Sequence, residues 1–169
     1  MKKKLILEIT PSEKLSSLIN HIKLVETNCN IISRKMASTD MQFAIDIAKR
    51  GRIHDASKFD KLEFEHLWED SEFFDFALTH HRLYNTHHPE YYKDGIYGMS
   101  ELDIAEMVAD CTARSQEFVT GIRSWFFDDD EAPSKYGYIG DKAIYDKIEF
   151  YLNMIVKTPF KKTKKDKLI

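Results

Sequence analysis

The residues best suited to chemistry in this sequence are its histidines, which are concentrated in a few short stretches. Four of the seven lie between positions 80 and 88, one directly precedes an aspartate, and one stands alone near the N-terminus. Imidazole and carboxylate groups are the ligands that Zn, Fe, Mn and similar ions take when no thiolate is offered. The pattern predicts a metal site with the candidate ligands His21, His54, Asp55, His80, His81, His87, His88 and Asp110.

Several of these residues also have a plain structural interpretation. His21 borders the apolar face of its predicted helix, where a well-packed histidine fits as readily as a ligand. Asp55 suits the N-cap of a helix that follows it. Lys58 is either a solvated side chain or a cation directed at a phosphate group bound by the metal. Asp110 lies four residues before Arg114, as in an exposed ion pair on a helix. The residues alone leave these alternatives open.

The two histidine pairs between positions 80 and 88 differ in the structure predicted around them. His80 and His81 end a helical pattern and point to different faces of it, so only one of them is expected to bind a metal directly. Asn85 and Pro89 interrupt helix formation around His87–His88, which places that pair in a loop. Loops held by rigid helices are frequent locations for functional residues.

The elements that must position these residues are predicted to be helices throughout. Apolar residues recur at spacings of three and four from Leu15 to Ile155, and the chain contains only six Gly and four Pro. We therefore predict an all-α protein with six or more helices, while residues 4–10 fit either a short strand or an extended arm. The predicted helices are 12–36 with Ser12 as N-cap, 39–50 with Gly51 as its end or a kink, 60–69, 73–81, 100–122 opened by a Ser100–Asp103 capping box, and 143–155.

Length and composition favour one cytoplasmic domain. A chain of 169 residues can bury one full hydrophobic core and is short for two, so we predict a single compact helical domain over 1–160 and a basic, disordered tail over 161–169. A net charge of −3 gives no sign of a nucleic-acid or membrane partner. No apolar run is long enough to span a membrane, and Cys29 and Cys111 lie in apolar helical patterns typical of reduced core thiols.

The order of the candidate ligands resembles the HD-domain superfamily of metal-dependent phosphohydrolases. The superfamily pattern H…HD…D falls on His21, His54, Asp55 and Asp110. The HD-GYP phosphodiesterases are similar in their HD-x-x-K motif, matched by Lys58, and in a later HH pair, but the GYP signature itself is absent. A closer resemblance is to small bacterial and phage proteins of unknown function that share HDxSKF and HHxxxNxHHPEY-like patterns. The resemblance covers about residues 18–115.

This resemblance implies one or two divalent transition-metal ions, with Fe, Mn, Zn, Co and Ni all open. A first ion would be held by the H…HD…D set, and a second by His80 or His81 with His87 or His88, with Asp55 shared between the two. Asp55 and Lys58 are the implied catalytic residues, because Lys58 would neutralise charge that builds on a phosphate. The implied activity is hydrolysis of a small-molecule phosphate ester, with a nucleotide as the favoured class.

Two alternatives from other functional classes accompany the phosphohydrolase prediction. Some HD-domain proteins that resemble this one in their ligands use a di-iron centre with oxygen to cleave C–C or C–P bonds. A metal-stabilised helical protein that binds a partner without catalysis is the other alternative. Iron content with an oxygen requirement would indicate the first, and a lack of turnover of phosphate esters with any added metal would indicate the second.

Overall fold

The computed structural model describes residues 10–68 and 71–156, which fold into helices joined by turns and loops. These ranges contain no strand, which confirms the all-α prediction. The α-helices are α1 (Pro11–Met36), α2 (Met41–Ile53), α3 (Lys61–His66), α4 (Phe74–Tyr84), α5 (Glu101–Phe118), α6 (Ile122–Phe127), α7 (Ala132–Tyr136) and α8 (Lys142–Ile155). Short 3₁₀ helices span Ala56–Phe59, Pro89–Tyr91 and Gly95–Gly98.

The core forms where α1, α2, α5 and α8 pack against one another. Four residues connect α1 to α2, so the two helices form an antiparallel hairpin, and α5 lies against both of them. The apolar side chains that fill this interface are Val25, Ile32, Ile47, Val108, Ala109, Ile148 and Leu152. Cys29 is buried among them, Cys111 packs at the edge of the core, and both are free thiols, as the sequence pattern predicted.

The first helix begins two residues earlier than the prediction of Ser12 as N-cap. Thr10 is the N-cap, and its hydroxyl accepts a hydrogen bond from the backbone N–H of Glu13 at 3.3 Å. The Glu13 carboxylate accepts one in return from the Thr10 backbone N–H at 2.8 Å. Pro11 then occupies the first helical position, where its missing N–H costs nothing. The rest of the predicted segment 4–10 and the predicted tail lie outside the described residues.

Gly51 lies inside α2, so the prediction that it ends the helix is wrong. Helix α2 continues to Ile53, and Gly51 is buried against α1. A Cβ atom at this position would lie 2.7 Å from the Cβ of Cys29 and 3.1 Å from the Cα of Glu26. The glycine is therefore required by the close approach of the two helices, which brings the end of α2 next to the middle of α1.

Helix α5 begins as predicted and ends earlier. Ser100 and Asp103 form the predicted capping box, with the Ser100 hydroxyl 3.2 Å from the Asp103 backbone nitrogen. The helix ends at Phe118 because Val119 adopts a left-handed conformation with φ of 53°, so Ile122 belongs to α6. The predicted helix over 60–69 is also shorter, and α3 ends at His66. No helix in the described ranges has the length and apolar character needed to cross a bilayer.

Candidate metal centre

Seven of the eight candidate ligands meet in the interior, although they come from widely separated parts of the chain. His21 projects from the middle of α1, His54 and Asp55 follow directly on α2, and Asp110 lies on α5. His81 is on the last turn of α4, and the loop after it carries His87–His88, as predicted from the helix-breaking residues. Four of the histidines and Asp55 are almost fully buried: His21, His54, His81 and His87.

Asp55 lies between two groups of imidazole nitrogens. Its Oδ2 atom is 3.3 Å from Nε2 of His54 and 3.6 Å from Nε2 of His21. Its Oδ1 atom is 3.4 Å from Nε2 of His81 and 3.5 Å from Nε2 of His87. Asp55 has a left-handed backbone with φ of 56° and makes no capping hydrogen bond to the described backbone. Asp55 thus occupies the N-cap position of the 3₁₀ helix Ala56–Phe59, as its structural interpretation predicts, but its side chain faces the histidines and does not cap that helix.

Asp110 faces the same cluster from α5. Its Oδ1 atom is 3.0 Å from Nε2 of His21 and 3.7 Å from Nε2 of His54, and its Oδ2 atom is 3.9 Å from Nε2 of His87. Arg114, the alternative partner for Asp110, contacts Glu117 at 3.1 Å. The i,i+4 ion pair is therefore replaced by contacts between Asp110 and the histidines.

Two glutamates on α5 hold the outward-facing nitrogens of three histidine rings. Glu106 Oε1 accepts from Nδ1 of His54 at 2.9 Å and lies 3.4 Å from Nδ1 of His87. Glu117 accepts from Nδ1 of His21 at 3.2 Å. Burial alone would raise the pKa of Glu106, but the His54 and His87 N–H groups lower it to about 2, so this carboxylate is ionised and only accepts. Each ring therefore presents Nδ1 to a glutamate and Nε2 to the cluster, the orientation in which Nε2 can bind a metal.

A third glutamate, Glu63 on α3, separates the roles of the adjacent histidines. Its Oε2 atom accepts from Nδ1 of His81 at 2.8 Å, and its Oε1 atom accepts from Nδ1 of His80 at 2.8 Å. The Nε2 atom of His81 faces Asp55, whereas the His80 ring stacks on Tyr84 and is 25% exposed. The expectation that only one of this pair joins the site agrees with the geometry. His80 lies outside the cluster.

Five buried polar atoms at the centre of the cluster lack hydrogen-bond partners among the described residues. These atoms are Nε2 of His21, His54 and His87, and Oδ1 of Asp55 and Asp110. Although His21 Nε2 lies 3.0 Å from Asp110 Oδ1, the two atoms do not have hydrogen-bond geometry. A buried acceptor without a partner costs about 1–3 kcal/mol, and more when it is charged. A cation satisfies several such acceptors at once, so the donor set fits a metal ion.

Three groups of ligand atoms have the compactness that a metal needs, because the atoms within each group lie within 4.8 Å of one another. The first group is His21, His54 and Asp55, and the second is His54, His87 and Asp110. The third group is His81, His87 and His88, in which Nε2 of His88 is 3.0 Å from Nε2 of His81. Burial lowers the pKa of His88 to about 2, so its ring is neutral, which is the form that binds metals.

Lys58 is buried beside the cluster, where its ammonium nitrogen lies 2.5 Å from Asp55 Oδ2. Burial alone would raise the pKa of Asp55, but His54 and Lys58 beside it hold that pKa well below 3.8. Burial likewise would lower the pKa of His54, and the Asp55 carboxylate raises it well above 6.5. Without a metal, these opposite charges stabilise one another inside the protein.

A cavity of about 760 Å³ gives access to the cluster. Lys58, His81, His88 and Asp110 lie at its wall. Six aromatic rings also line it: Phe64, Trp68, Phe74, Phe118, Trp125 and Tyr136. Three further cations, Arg82, Arg114 and Lys135, lie around the same cavity. Ligand pockets for organic molecules have volumes of roughly 300–1,000 Å³, so the space fits a substrate much larger than a phosphate group alone.

Sequence reasoning missed the three glutamates that hold the histidines. Glu63 lies in the predicted helix 60–69, where its charge favours an exposed position, yet its side chain is fully buried. Glu106 and Glu117 lie in the predicted helix 100–122, where acidic side chains are equally expected to be solvated. A signal was present, because Glu106, Asp110 and Glu117 follow one another at spacings of four and seven and so share one helix face.

The comparisons with known proteins identify a family without a described activity. A family model described as "Family of unknown function (DUF5662)" matches residues 10–136, a range that contains every candidate ligand and extends from α1 to the end of α7. Neither the curated proteins nor the solved structures gave a match.

Proposed function

This chain belongs to the DUF5662 family of unknown function, and we propose from its site geometry that it is a metal-dependent phosphohydrolase of the HD-domain type. The observation that supports this most directly is the placement of Asp55. One of its oxygens faces His21 and His54, and the other faces His81 and His87. A carboxylate placed in this way can bridge two cations.

The first cation would be held by His21, His54, Asp55 and Asp110. The second would be held by His81, His87 and His88 with the other oxygen of Asp55; His80 is not part of either set. Fe, Mn, Zn, Co and Ni all accept imidazole and carboxylate ligands, so the ligand chemistry is compatible with each of them. Bound cations would polarise a phosphoryl oxygen and lower the pKa of a water molecule toward neutrality.

The protein groups around the cations have separate tasks in this proposal. Glu63, Glu106 and Glu117 hold the imidazole rings through Nδ1, so that Nε2 stays directed inward throughout the reaction. Lys58 is fixed by its contact with Asp55 and also lies at the cavity wall, where its ammonium group can neutralise charge that develops on phosphate oxygens. Burial of the cluster excludes most water and strengthens each of these electrostatic contacts.

The cavity wall supports a nucleotide as the substrate class. Rings such as Trp68 and Trp125 offer flat apolar surfaces against which a base can stack. Arg82, Arg114 and Lys135 supply positive charge for additional phosphate or carboxylate groups. The combination of apolar rings and cations around one volume suits an anion that also carries an aromatic base.

A di-iron oxygenase is the second candidate function, because the second ligand set consists mainly of imidazole nitrogens. His81, His87 and His88 supply three nitrogens there, and imidazole is a common ligand of iron. An HD-type centre that holds two irons would cleave a C–C or C–P bond with oxygen. Iron recovered with the purified protein, together with activity that requires oxygen, would favour this candidate over hydrolysis.

Metal reconstitution tests the hydrolase proposal. Protein freed of metal with a chelator should release no phosphate from nucleoside mono-, di- or triphosphates, and Mn²⁺, Co²⁺, Ni²⁺, Fe²⁺ or Zn²⁺ should restore release. Asp110→Asn should abolish the restored activity. Asp60→Asn, which removes an exposed carboxylate, is the matched control and should retain it. Equal activity with and without metal, or no difference between the two variants, would count against the proposal.

A further inference from the structure

Arg50, on the last turns of α2, joins three parts of the molecule next to the metal centre. Its Nε atom is 3.2 Å from Oε2 of Glu106, and one terminal nitrogen is 2.5 Å from Oδ1 of Asp103. The other terminal nitrogen donates a hydrogen bond to the hydroxyl of Thr86, the residue before His87. One guanidinium group therefore connects α2 with α5 and with the loop that carries the second pair of histidines.

Asp103 provides a rigid anchor for this guanidinium group. The Asp103 carboxylate is almost fully buried, and it accepts from the Ser100 backbone N–H at 2.9 Å and from the Ser100 hydroxyl at 2.5 Å. It also accepts from the Tyr92 hydroxyl at 2.7 Å. With these donors in place, Asp103 holds Arg50 in one orientation. Glu106 lies on the same face of α5 one turn later.

The position of Arg50 determines how the Glu106 carboxylate can turn. The terminal torsion angle of a glutamate side chain has a broad distribution, so contacts with neighbouring groups are needed to fix the carboxylate in one orientation. Oε1 of Glu106 holds His54 and faces His87, and Oε2 faces Arg50. Because Arg50 fixes Oε2, Oε1 stays directed at one ring from each ligand set.

We propose that Arg50 is a positioning residue that sets the metal affinity of both halves of the centre through Glu106. The inference rests on the proposed metal site and adds to it a specific role for a residue that touches neither ligand set. The planar fork of Arg50 is essential to this role, because a lysine at the same position cannot contact Glu106, Asp103 and Thr86 together. Charge alone would not preserve the arrangement.

Titration of metal-free protein with Co²⁺, followed by its visible absorption, tests the inference without measuring activity. Arg50→Met should weaken Co²⁺ binding by roughly tenfold at each half, the size of effect found when an outer partner of a metal ligand is lost. Arg50→Lys should weaken it similarly and change the Co²⁺ spectrum. Arg52→Met is the matched control, because Arg52 is on the same helix and its side chain is 71% exposed. This control should bind as the wild type does.

A double-mutant cycle separates positioning from a general loss of stability. In a Glu106→Gln background, Arg50→Met should change Co²⁺ affinity by no more than about twofold, because the residue through which Arg50 acts has already been altered. The melting transition of each metal-free variant is measured by circular dichroism, and Co²⁺ affinities are compared at a temperature below all of these transitions. Additive effects in the cycle, or wild-type binding by Arg50→Lys, would overturn the inference while leaving the metal centre intact. Wild-type protein that binds no Co²⁺ would overturn both.

Discussion

The three glutamates that hold the imidazole rings give a prediction that distinguishes the two halves of the proposed metal centre. Within the cluster, Glu117 contacts only His21 and Glu63 contacts only His81, whereas Glu106 contacts one ring from each half. A Glu→Gln change keeps the shape of the side chain and removes its charge. We therefore expect Glu117→Gln to weaken the first ion, Glu63→Gln to weaken the second, and Glu106→Gln to weaken both.

The magnitude follows from the number of rings that each glutamate holds. Loss of an outer carboxylate partner of a metal-bound histidine costs about 10- to 100-fold in affinity, or about 1.4–2.7 kcal/mol. Since Glu106 acts on both halves, its substitution should reduce the product of the two binding constants by about 10²- to 10⁴-fold. Glutamine also has only one acceptor oxygen, so either His54 or Arg50 loses its partner.

Calorimetric titration of the metal-free variants with Co²⁺ measures both binding constants, and metal analysis after desalting gives the number of ions retained per chain. Glu65→Gln is the matched control, because Glu65 is two residues from Glu63 and its side chain is 49% exposed. The control should bind as many ions as the wild type, with the same binding constants. If the three glutamine variants changed the two binding constants in the same way, the assignment of these glutamates to separate halves would be refuted. A Glu106→Gln variant that lowers only one binding constant would refute it as well.

Three further predictions concern single residues. Asp55→Asn should lose bound metal and activity together, whereas Lys58→Met should keep its metal and lose about 10- to 100-fold in turnover, because a charge-assisted contact to phosphate contributes about 1.5–3 kcal/mol. Metal content and phosphate release are measured on both variants, and full metal occupancy in Asp55→Asn would contradict the prediction. Gly51→Ala should lower the free energy of unfolding in urea by about 1–3 kcal/mol, because the added methyl group would lie 2.7 Å from the Cβ of Cys29. Gly121→Ala is the control and should change stability much less, because its added methyl group would lie 3.7 Å from the nearest atom. Metal binding at pH 7 should release protons into weakly buffered solution and should weaken as the pH is lowered. Burial alone would lower the pKa of His54, but the Asp55 carboxylate raises it well above 6.5, and only the unprotonated nitrogen binds a metal. Binding without proton release would contradict this prediction.

The helices and the candidate ligands were predictable because both leave short-range signals in the sequence. The three-and-four spacing of apolar residues locates α1, α2, α5 and α8, whose buried faces build the core. The loop at His87–His88 follows from helix breakers on either side of it. Details that depend on neighbours far along the chain were missed. Gly51 looks like a helix end in isolation, and only the approach of α1 shows why it is needed within α2.

The glutamates were missed for the same physical reason. Acidic residues number 28 in this sequence, and most acidic residues on helices are solvated. Glu63 follows Lys61 and Leu62 in a segment that reads as exposed, and its burial depends on contacts with residues 17 and 18 positions later. Such contacts cannot be read from local spacing. Once the histidine positions are known, however, the shared face of Glu106, Asp110 and Glu117 is a pattern that can be searched for.

The hairpin of α1 and α2 has a consequence for how the chain matures during synthesis. Its two helices bring His21 and His54 together within the first 54 residues, and their contacts are local enough to form early. Asp110 leaves the ribosome much later, so the nascent hairpin offers imidazoles without the carboxylate of α5 that faces them. At the proposed metal centre, a growing chain would therefore hold a cation only weakly. Tight binding would require α5, so the ion would be acquired as folding is completed.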